Sequence, residues 1–171
     1  GHSAPSKNSV SQTVKILTVD ELKAKTTTEY FSHQNIKKIS PHTELTLVLG
    51  GDMERYVWHI NGKLINEERN IMVNEGDVVR FIFKNDTMMH HPMHLHGHFF
   101  RVLNKHGAYS PLKHTVYVPP HSTRIIEFLA NEPGEWLLHC HNLYHMKTGM
   151  GRVVKYLSYT PAPDILHMQL H

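Results

Sequence analysis

The sequence of 171 residues has a single cysteine, Cys140, and no apolar run near the ~20 residues that a membrane-spanning helix requires. One cysteine cannot form a disulfide within the chain, so it is inert in a core, reactive or a metal ligand. The formal net charge is only +3, and Lys and Arg are scattered without a basic stripe. We therefore expect neither a membrane span nor a nucleic-acid partner.

Histidine, in contrast, is abundant and concentrated in one part of the chain. The sequence contains 17 histidines, and 11 of them lie between His90 and His145. A solvated surface does not require such crowding, whereas neutral imidazole is the commonest metal ligand in proteins. The distribution therefore indicates a metal-binding region in the second half of the sequence.

Three segments differ in composition. Residues 1–43 are rich in Ser, Thr and Lys and are interpreted as an N-terminal tail or interdomain linker, with a short helix predicted near residues 19–25 from a capping-box pattern. Residues 44–157 contain about eight short runs of Val, Ile, Phe and Trp separated by Gly, Pro or Asn turns, which is typical of an all-β sandwich or small barrel. Residues 158–171 are interpreted as a C-terminal tail.

The first histidine cluster is "HHPMHLHGHFF", at residues 90–100. If residues 93–103 form a strand, His94 and His96 point to the same face, because side chains alternate along a strand. His91 precedes a proline, which favours an extended or turned backbone and lets His91 face elsewhere. Two histidines of this cluster are expected to be structural or solvent-facing, namely His90 and His98.

The second cluster, "HCHNLYHMKTGM", begins as a strand. The same alternation predicts that His139 and His141 share one face while Cys140 points to the other. His145 and Met150 are expected to follow in a loop. Together with a distant histidine they would give two imidazoles, a thiolate and a weak thioether, which is the ligand pattern of a blue-copper site. Zinc prefers a tighter tetrahedron that does not normally include Met.

At these residues the sequence resembles the C-terminal cupredoxin domain of multicopper oxidases, the laccase-like family, and in particular its copper-resistance type. "HPMHLHGH" and "HCHNLYHMKTGM" carry the resemblance, and "VPPHSTRIIEF" and "NEPGEWLLHCH" extend it over about residues 43–156. The resemblance implies copper as the cofactor and a Greek-key cupredoxin-like sandwich or barrel of about eight strands with an N-terminal linker. It assigns no role to His114, where many relatives carry Asp.

The resemblance also implies which residues bind copper and what they do. Cys140, His139 and His141 would connect a type 1 copper to a type 2/type 3 cluster that reduces O2 to water. An electron donor such as Cu(I) or a phenol would approach the edge of His145 or His91. The implied ligands are, for the type 1 copper, His91, Cys140, His145 and Met150, for the type 2 copper His94, and for the type 3 pair His96, His139 and His141.

Half of the histidines that this family uses for its oxygen-reducing cluster have no counterpart in the sequence, because a second pair of HxH motifs is missing. The resemblance therefore implies partner residues from N-terminal cupredoxin domains of the same enzyme or from a partner subunit, and a periplasmic or extracytoplasmic location. Two alternatives stay open: a stand-alone blue-copper electron-transfer protein, and a non-redox module that binds copper or zinc.

Overall fold

Eleven strands and one short helix form the described part of the chain. The computed structural model describes residues 40–103 and 112–161, so the helix predicted near residues 19–25 and most of both predicted tails lie outside the described residues. In chain order the elements are β1 (Ser40–Asp52), β2 (Val57–Ile60), β3 (Asn70–Val73), β4 (Asp77–Asn85), β5 (His91–Leu95), β6 (Phe100–Leu103), β7 (Leu112–Lys113), β8 (Thr115–Val118), β9 (Thr123–Leu129), β10 (Glu135–Cys140), α1 (Leu143–Thr148) and β11 (Gly151–Tyr156).

The strands form two mixed sheets, which confirms the all-β prediction. One sheet has the order β2-β1-β4-β9-β6-β7 and the other β3-β11-β10-β5-β8. The pairs β1–β4 and β3–β11 are parallel, and the other pairs are antiparallel. Alternating residues of the strands bury apolar side chains in one core cluster, where Phe81 packs edge-on against Phe83 and Phe128. Burial of such aromatic rings is a large part of what holds a small β domain together.

The strand count is higher than the eight expected, because two apolar runs are each divided by a glycine turn. The run at residues 70–85 breaks between β3 and β4 at Gly76, where φ is 88°. The single strand predicted over residues 93–103 is wrong in the same way, since Gly97 has φ of 70° and separates β5 from β6. Positive φ is readily adopted by glycine and strained for most other residues. The two-residue strand β7 accounts for the third additional strand.

Strand β1 begins at Ser40, inside the segment predicted as a linker that ends at residue 43. Ser40 pairs with Asp77 of β4, and the Thr43 hydroxyl donates a hydrogen bond to the Asp77 carboxylate at 3.0 Å. These contacts attach the end of the predicted linker to the sheet. Within the described residues there is one helix, of six residues, and it is not long enough to cross a membrane.

The two histidine-rich motifs lie side by side in the five-stranded sheet. Strands β5 and β10 are antiparallel neighbours, with His94 opposite His139 and Met93 opposite Cys140. The loop predicted after β10 is instead partly helical: α1 begins after Asn142, whose side chain accepts a hydrogen bond from the Tyr144 amide. An N-cap of this kind satisfies one amide at the start of a helix.

Candidate metal centres

Three candidate ligands meet in the core at the end of the five-stranded sheet. His91 comes from β5, Cys140 from β10 and His145 from α1. The Cys140 Sγ lies 3.7 Å from Nδ1 of His91 and 3.5 Å from Nδ1 of His145, and the two Nδ1 atoms are 3.1 Å apart. All three side chains are buried. A single metal ion placed between them would contact two imidazoles and one sulfur, and we call this group the buried cluster.

Met150 is connected to the buried cluster through its backbone. Its carbonyl accepts a hydrogen bond from the Cys140 amide at 3.1 Å, and its amide donates to the His145 carbonyl at 2.9 Å. The turn between them uses Gly149, where φ is 120°. Met150 is fully buried in the same core. The structure therefore brings the four residues predicted as type 1 ligands into one region, although His145 reaches it from a helix rather than a loop.

The orientation of the His91 ring is set by two polar residues before β5. The Thr87 hydroxyl donates to Oδ1 of Asn85 at 2.8 Å and lies 2.7 Å from Nε2 of His91. Because the hydroxyl hydrogen is used by Asn85, Nε2 of His91 donates to Thr87, and Nδ1 keeps its lone pair toward Cys140. The Asn85 amide in turn donates to the carbonyls of Met89, Val118 and Pro119. A partner on the outer ring nitrogen is the usual way in which a metal-binding histidine is oriented.

Burial keeps the imidazoles of this cluster neutral and its thiol protonated in the absence of a metal. Burial first, and then the nearby His145 and His90, lower the pKa of His91 to about 4. Burial also lowers the pKa of His145 and raises that of Cys140 to about 11. Neutral imidazoles are ready to bind a metal, whereas the thiol must release its proton when the metal arrives.

A second histidine cluster lies on the opposite side of the same two strands. Nε2 of His96 and Nε2 of His139 are 3.1 Å apart, and the ring of His94 is centred 4.7 Å from that of His96. The ring of His141 is centred 5.7 Å from His139 and 5.8 Å from His94. The four residues form what we call the histidine face. His96 lies in the turn after β5, so the shared direction of His94 and His96 comes from strand and turn together rather than from one long strand.

Backbone carbonyls determine which ring nitrogen points into the histidine face. Nδ1 of His94 lies 2.6 Å from the carbonyl of His114, and Nδ1 of His139 lies 3.0 Å from the carbonyl of Cys140. A carbonyl oxygen only accepts, so both Nδ1 atoms carry hydrogen and both Nε2 atoms are left as acceptors. Burial, followed by the charges of neighbouring histidines, lowers the pKa of His96. The Nε2 lone pairs of His94 and His139 are therefore available to bind a cation.

Cys140 and its two sequence neighbours are divided between the two clusters, as the alternation predicts. The sulfur points to the buried cluster, while the rings of His139 and His141 belong to the histidine face. The two clusters are therefore joined by single peptide units, and the His139 ring also donates to the Cys140 carbonyl.

Several residues that shape these clusters have no signal in the sequence. Trp58, from β2, stacks on His145 with ring centroids 4.3 Å apart, and Thr87 orients His91.

His98, expected to be structural or solvent-facing, is buried and bonds to the Tyr156 hydroxyl at 2.7 Å, so it is structural. His91 and His145, whose edges an electron donor is predicted to approach, are 0% and 1% exposed, and the Trp58 ring stacks on that of His145.

The donor set of the buried cluster is one that favours copper. A thiolate is a soft ligand, and two imidazoles with one thiolate form the trigonal arrangement that copper accepts. The observed separations of 3.1–3.7 Å between the donor atoms of His91, Cys140 and His145 leave room for one ion at their centre. The residues present therefore fit a copper ion.

Comparison with known proteins agrees with this chemistry. The multicopper oxidase family matches residues 38–158. A copper resistance protein A homolog from Pseudomonas syringae pv. tomato is 39% identical over 115 residues, covering 67% of this chain and 20% of that protein. Multicopper oxidase MmcO from Mycobacterium tuberculosis is 37% identical over 123 residues, covering 72% of this chain and 24% of that protein.

Among solved structures, McoA multicopper oxidase from Aquifex aeolicus has a TM-score of 0.57 and 28% identity, covering 70% of this chain and 31% of that one. The chain thus spans between a fifth and a quarter of the length of these two curated relatives. The match over most of the chain, together with the two clusters, confirms the predicted resemblance. The chain belongs to the multicopper oxidase family and forms a cupredoxin domain of it.

Proposed function

We propose that the chain is the C-terminal domain of a multicopper oxidase and provides one complete copper site and half of another. The observation that carries the proposal is the division of three consecutive residues, His139, Cys140 and His141, between two clusters of metal-binding side chains. The proposed ligands are His91, Cys140, His145 and Met150 for a type 1 copper, His94 for a type 2 copper, and His96, His139 and His141 for a type 3 pair.

When bound, copper would supply one-electron redox chemistry at the buried cluster and reduction of O2 to water at the completed histidine face. The protein's own part is to hold its ligands in place and to exclude water from the first site. Cys140 and the flanking His139 and His141 would form the connection between the sites, through the peptide backbone and through the hydrogen bond from the His139 ring to the Cys140 carbonyl.

The histidine face supports the proposal that other domains complete the second site. His94 and His96 are not fully buried, and His141 is exposed. An open pocket beside them is lined by His90, Pro92, Thr115, His141 and Asn142. We propose that N-terminal cupredoxin domains of the same enzyme, or a partner subunit, cover this face and supply the remaining histidines. O2, an electron donor such as Cu(I) or a phenol, and an extracytoplasmic location belong to the same proposal.

Copper titration of the purified chain tests the proposal. One equivalent of Cu(II) is expected to give an intense visible band from thiolate-to-copper charge transfer. The band should vanish in Cys140→Ser and persist in His96→Gln, which alters only the histidine face. A colourless complex in the unchanged chain would refute a type 1 site and favour the non-redox alternative.

Oxygen uptake separates the remaining alternative, a self-contained blue-copper carrier. That alternative has one observation in its favour, because all four proposed type 1 ligands lie within this chain. A self-contained carrier of this kind would not require the four residues of the histidine face. We expect the isolated chain to be reduced by a donor without sustained O2 consumption, and expect O2 consumption when the full-length enzyme is used. Four-electron turnover by the isolated chain would contradict the missing-half interpretation.

A further inference from the structure

His145 is the proposed copper ligand whose position depends most on its neighbours. His91 and Cys140 are held in the middle of a five-stranded sheet by strand pairing. His145, in contrast, sits on a helix of six residues. An isolated helix of that length is not stable in water, so tertiary packing must hold it.

Trp58 provides the packing against the His145 ring. The two rings are stacked, with an interplanar angle of 25° and centroids 4.3 Å apart, and the indole is 4% exposed. The strand that carries Trp58 is also joined to the helix, because the Trp58 amide donates to the Thr148 hydroxyl at 3.4 Å. That hydroxyl shares its hydrogen between the carbonyls of Tyr144 at 3.0 Å and His145 at 3.2 Å. Trp58 therefore contacts both the His145 ring and the end of the helix that carries it.

The indole itself is held on its other sides. Gly51 lies opposite Trp58 in the β1–β2 pair, and a Cβ atom at this glycine would come within 2.8 Å of the indole. The ring of Tyr56, which is exposed, packs edge-on against Trp58. Within the described residues the buried indole nitrogen has no hydrogen-bond partner. The position of the indole is thus set by ring packing rather than by a polar contact.

We propose that Trp58 is a positioning residue for the metal-binding ring of His145. The indole holds the His145 imidazole in the orientation in which its Nδ1 reaches the buried cluster. It also shields the imidazole from water. The inference rests on the proposed copper site. If the His145 ring is held in one orientation, the ligands move little when the copper changes between Cu(II) and Cu(I). A small change in ligand geometry favours one-electron transfer.

Four variants of the full chain test the inference. Trp58→Leu removes the aromatic face and Trp58→Phe keeps it without the unpaired nitrogen. Gly51→Ala places a Cβ against the indole, whereas in the matched change Gly50→Ala the atoms nearest to the added Cβ belong to the ring of His59. Loss of one stacked ring pair is expected to weaken Cu(I) binding by about two- to tenfold.

Three measurements are made on each variant. The first is the Cu(I) dissociation constant, the second the position of the thiolate-to-copper band with the reduction potential, and the third hydrogen exchange of the amides of α1 in the metal-free chain. Trp58→Leu and Gly51→Ala are expected to change all three, and Trp58→Phe and Gly50→Ala to resemble the unchanged chain.

The outcomes distinguish this inference from the proposed function. If Trp58→Leu binds Cu(I) with unchanged affinity, band and potential, the positioning role is refuted while the copper site stands. Faster exchange of α1 with an unchanged copper site would also refute it, since Trp58 would then stabilise the helix only. Absence of a Cys140-dependent band in the unchanged chain overturns the copper site and the inference together.

Discussion

Removal of the Tyr156 hydroxyl tests the hydrogen-bond chain behind the histidine face. Nδ1 of His98 donates to the carbonyl of His96 at 3.0 Å, so Nε2 of His98 must accept from the Tyr156 hydroxyl at 2.7 Å. That hydroxyl accepts in turn from the amide of Glu132 at 3.3 Å. Tyr156→Phe keeps the ring but leaves a buried acceptor on His98 unsatisfied. We expect the free energy of unfolding to fall by about 1–3 kcal/mol at pH 7.

The same substitution has a pH dependence of defined sign. Burial raises the pKa of Tyr156 from 10.0 to about 12. Below pH 10 the phenol is neutral in both states, so its contribution to stability is fully present. As pH rises from 10 to 12 the unfolded chain ionises first and that contribution is lost. The corresponding loss is about 1.4 kcal/mol by pH 11 and at most about 2.7 kcal/mol above pH 12.

Urea denaturation at pH 8 and pH 11 measures both effects. The difference in free energy of unfolding between the unchanged chain and Tyr156→Phe is expected to shrink by about 1.4 kcal/mol between these pH values. A Tyr156→Phe difference that stays constant with pH would refute the reasoning, because it would mean that the folded state does not suppress ionisation of this phenol.

Two further predictions concern residues beside the clusters. Gly97→Ala is expected to destabilise the chain by more than the ~1–2 kcal/mol expected from positive φ alone, because its Cβ would overlap the Trp136 ring. Gly76→Ala, with positive φ and nothing within 4 Å of its Cβ, is the control in urea denaturation; equal losses would contradict the steric argument. Thr87→Val removes the partner of His91 and should weaken copper binding by about 10- to 100-fold in a titration of the visible band; unchanged affinity would exclude this orienting role.

Strand alternation accounts for what could be predicted of the site. The pattern His-Cys-His places Cys140 opposite to His139 and His141 whatever the rest of the fold does, because successive side chains of a strand point to opposite faces. His91 is predicted to face elsewhere because it precedes Pro92, and in the structure it lies in β5, where its odd spacing from His94 places it on the opposite face. The all-β class was predictable for a similar reason, since short β-branched and aromatic runs between turns have few other structures available.

The features that could not be predicted depend on contacts between distant parts of the chain. The helix α1 is short, and although Asn142 and Gly149 cap its two ends, a helix of six residues also needs packing such as that of Trp58 on His145. Trp58 lies 87 residues before His145 in the sequence. The break at Gly97 had a local signal, because a glycine inside an apparent strand often marks a turn, but the tight packing of Trp136 on it arises from the fold.

The shared strand residues also limit how the two clusters can change. A shift of β10 by one residue against β5 would turn Cys140 away from His91 and turn the neighbouring imidazoles into the apolar core. Such a shift would disrupt both clusters at once, so both depend on the register of β10. The second neighbour of β10 is β11: Gly151 pairs with His139, and an added Cβ there would lie 3.3 Å from the Leu138 carbonyl. The five residue pairs between β10 and β11, from Glu135 with Lys155 to His139 with Gly151, therefore hold the register of β10 on the side away from β5.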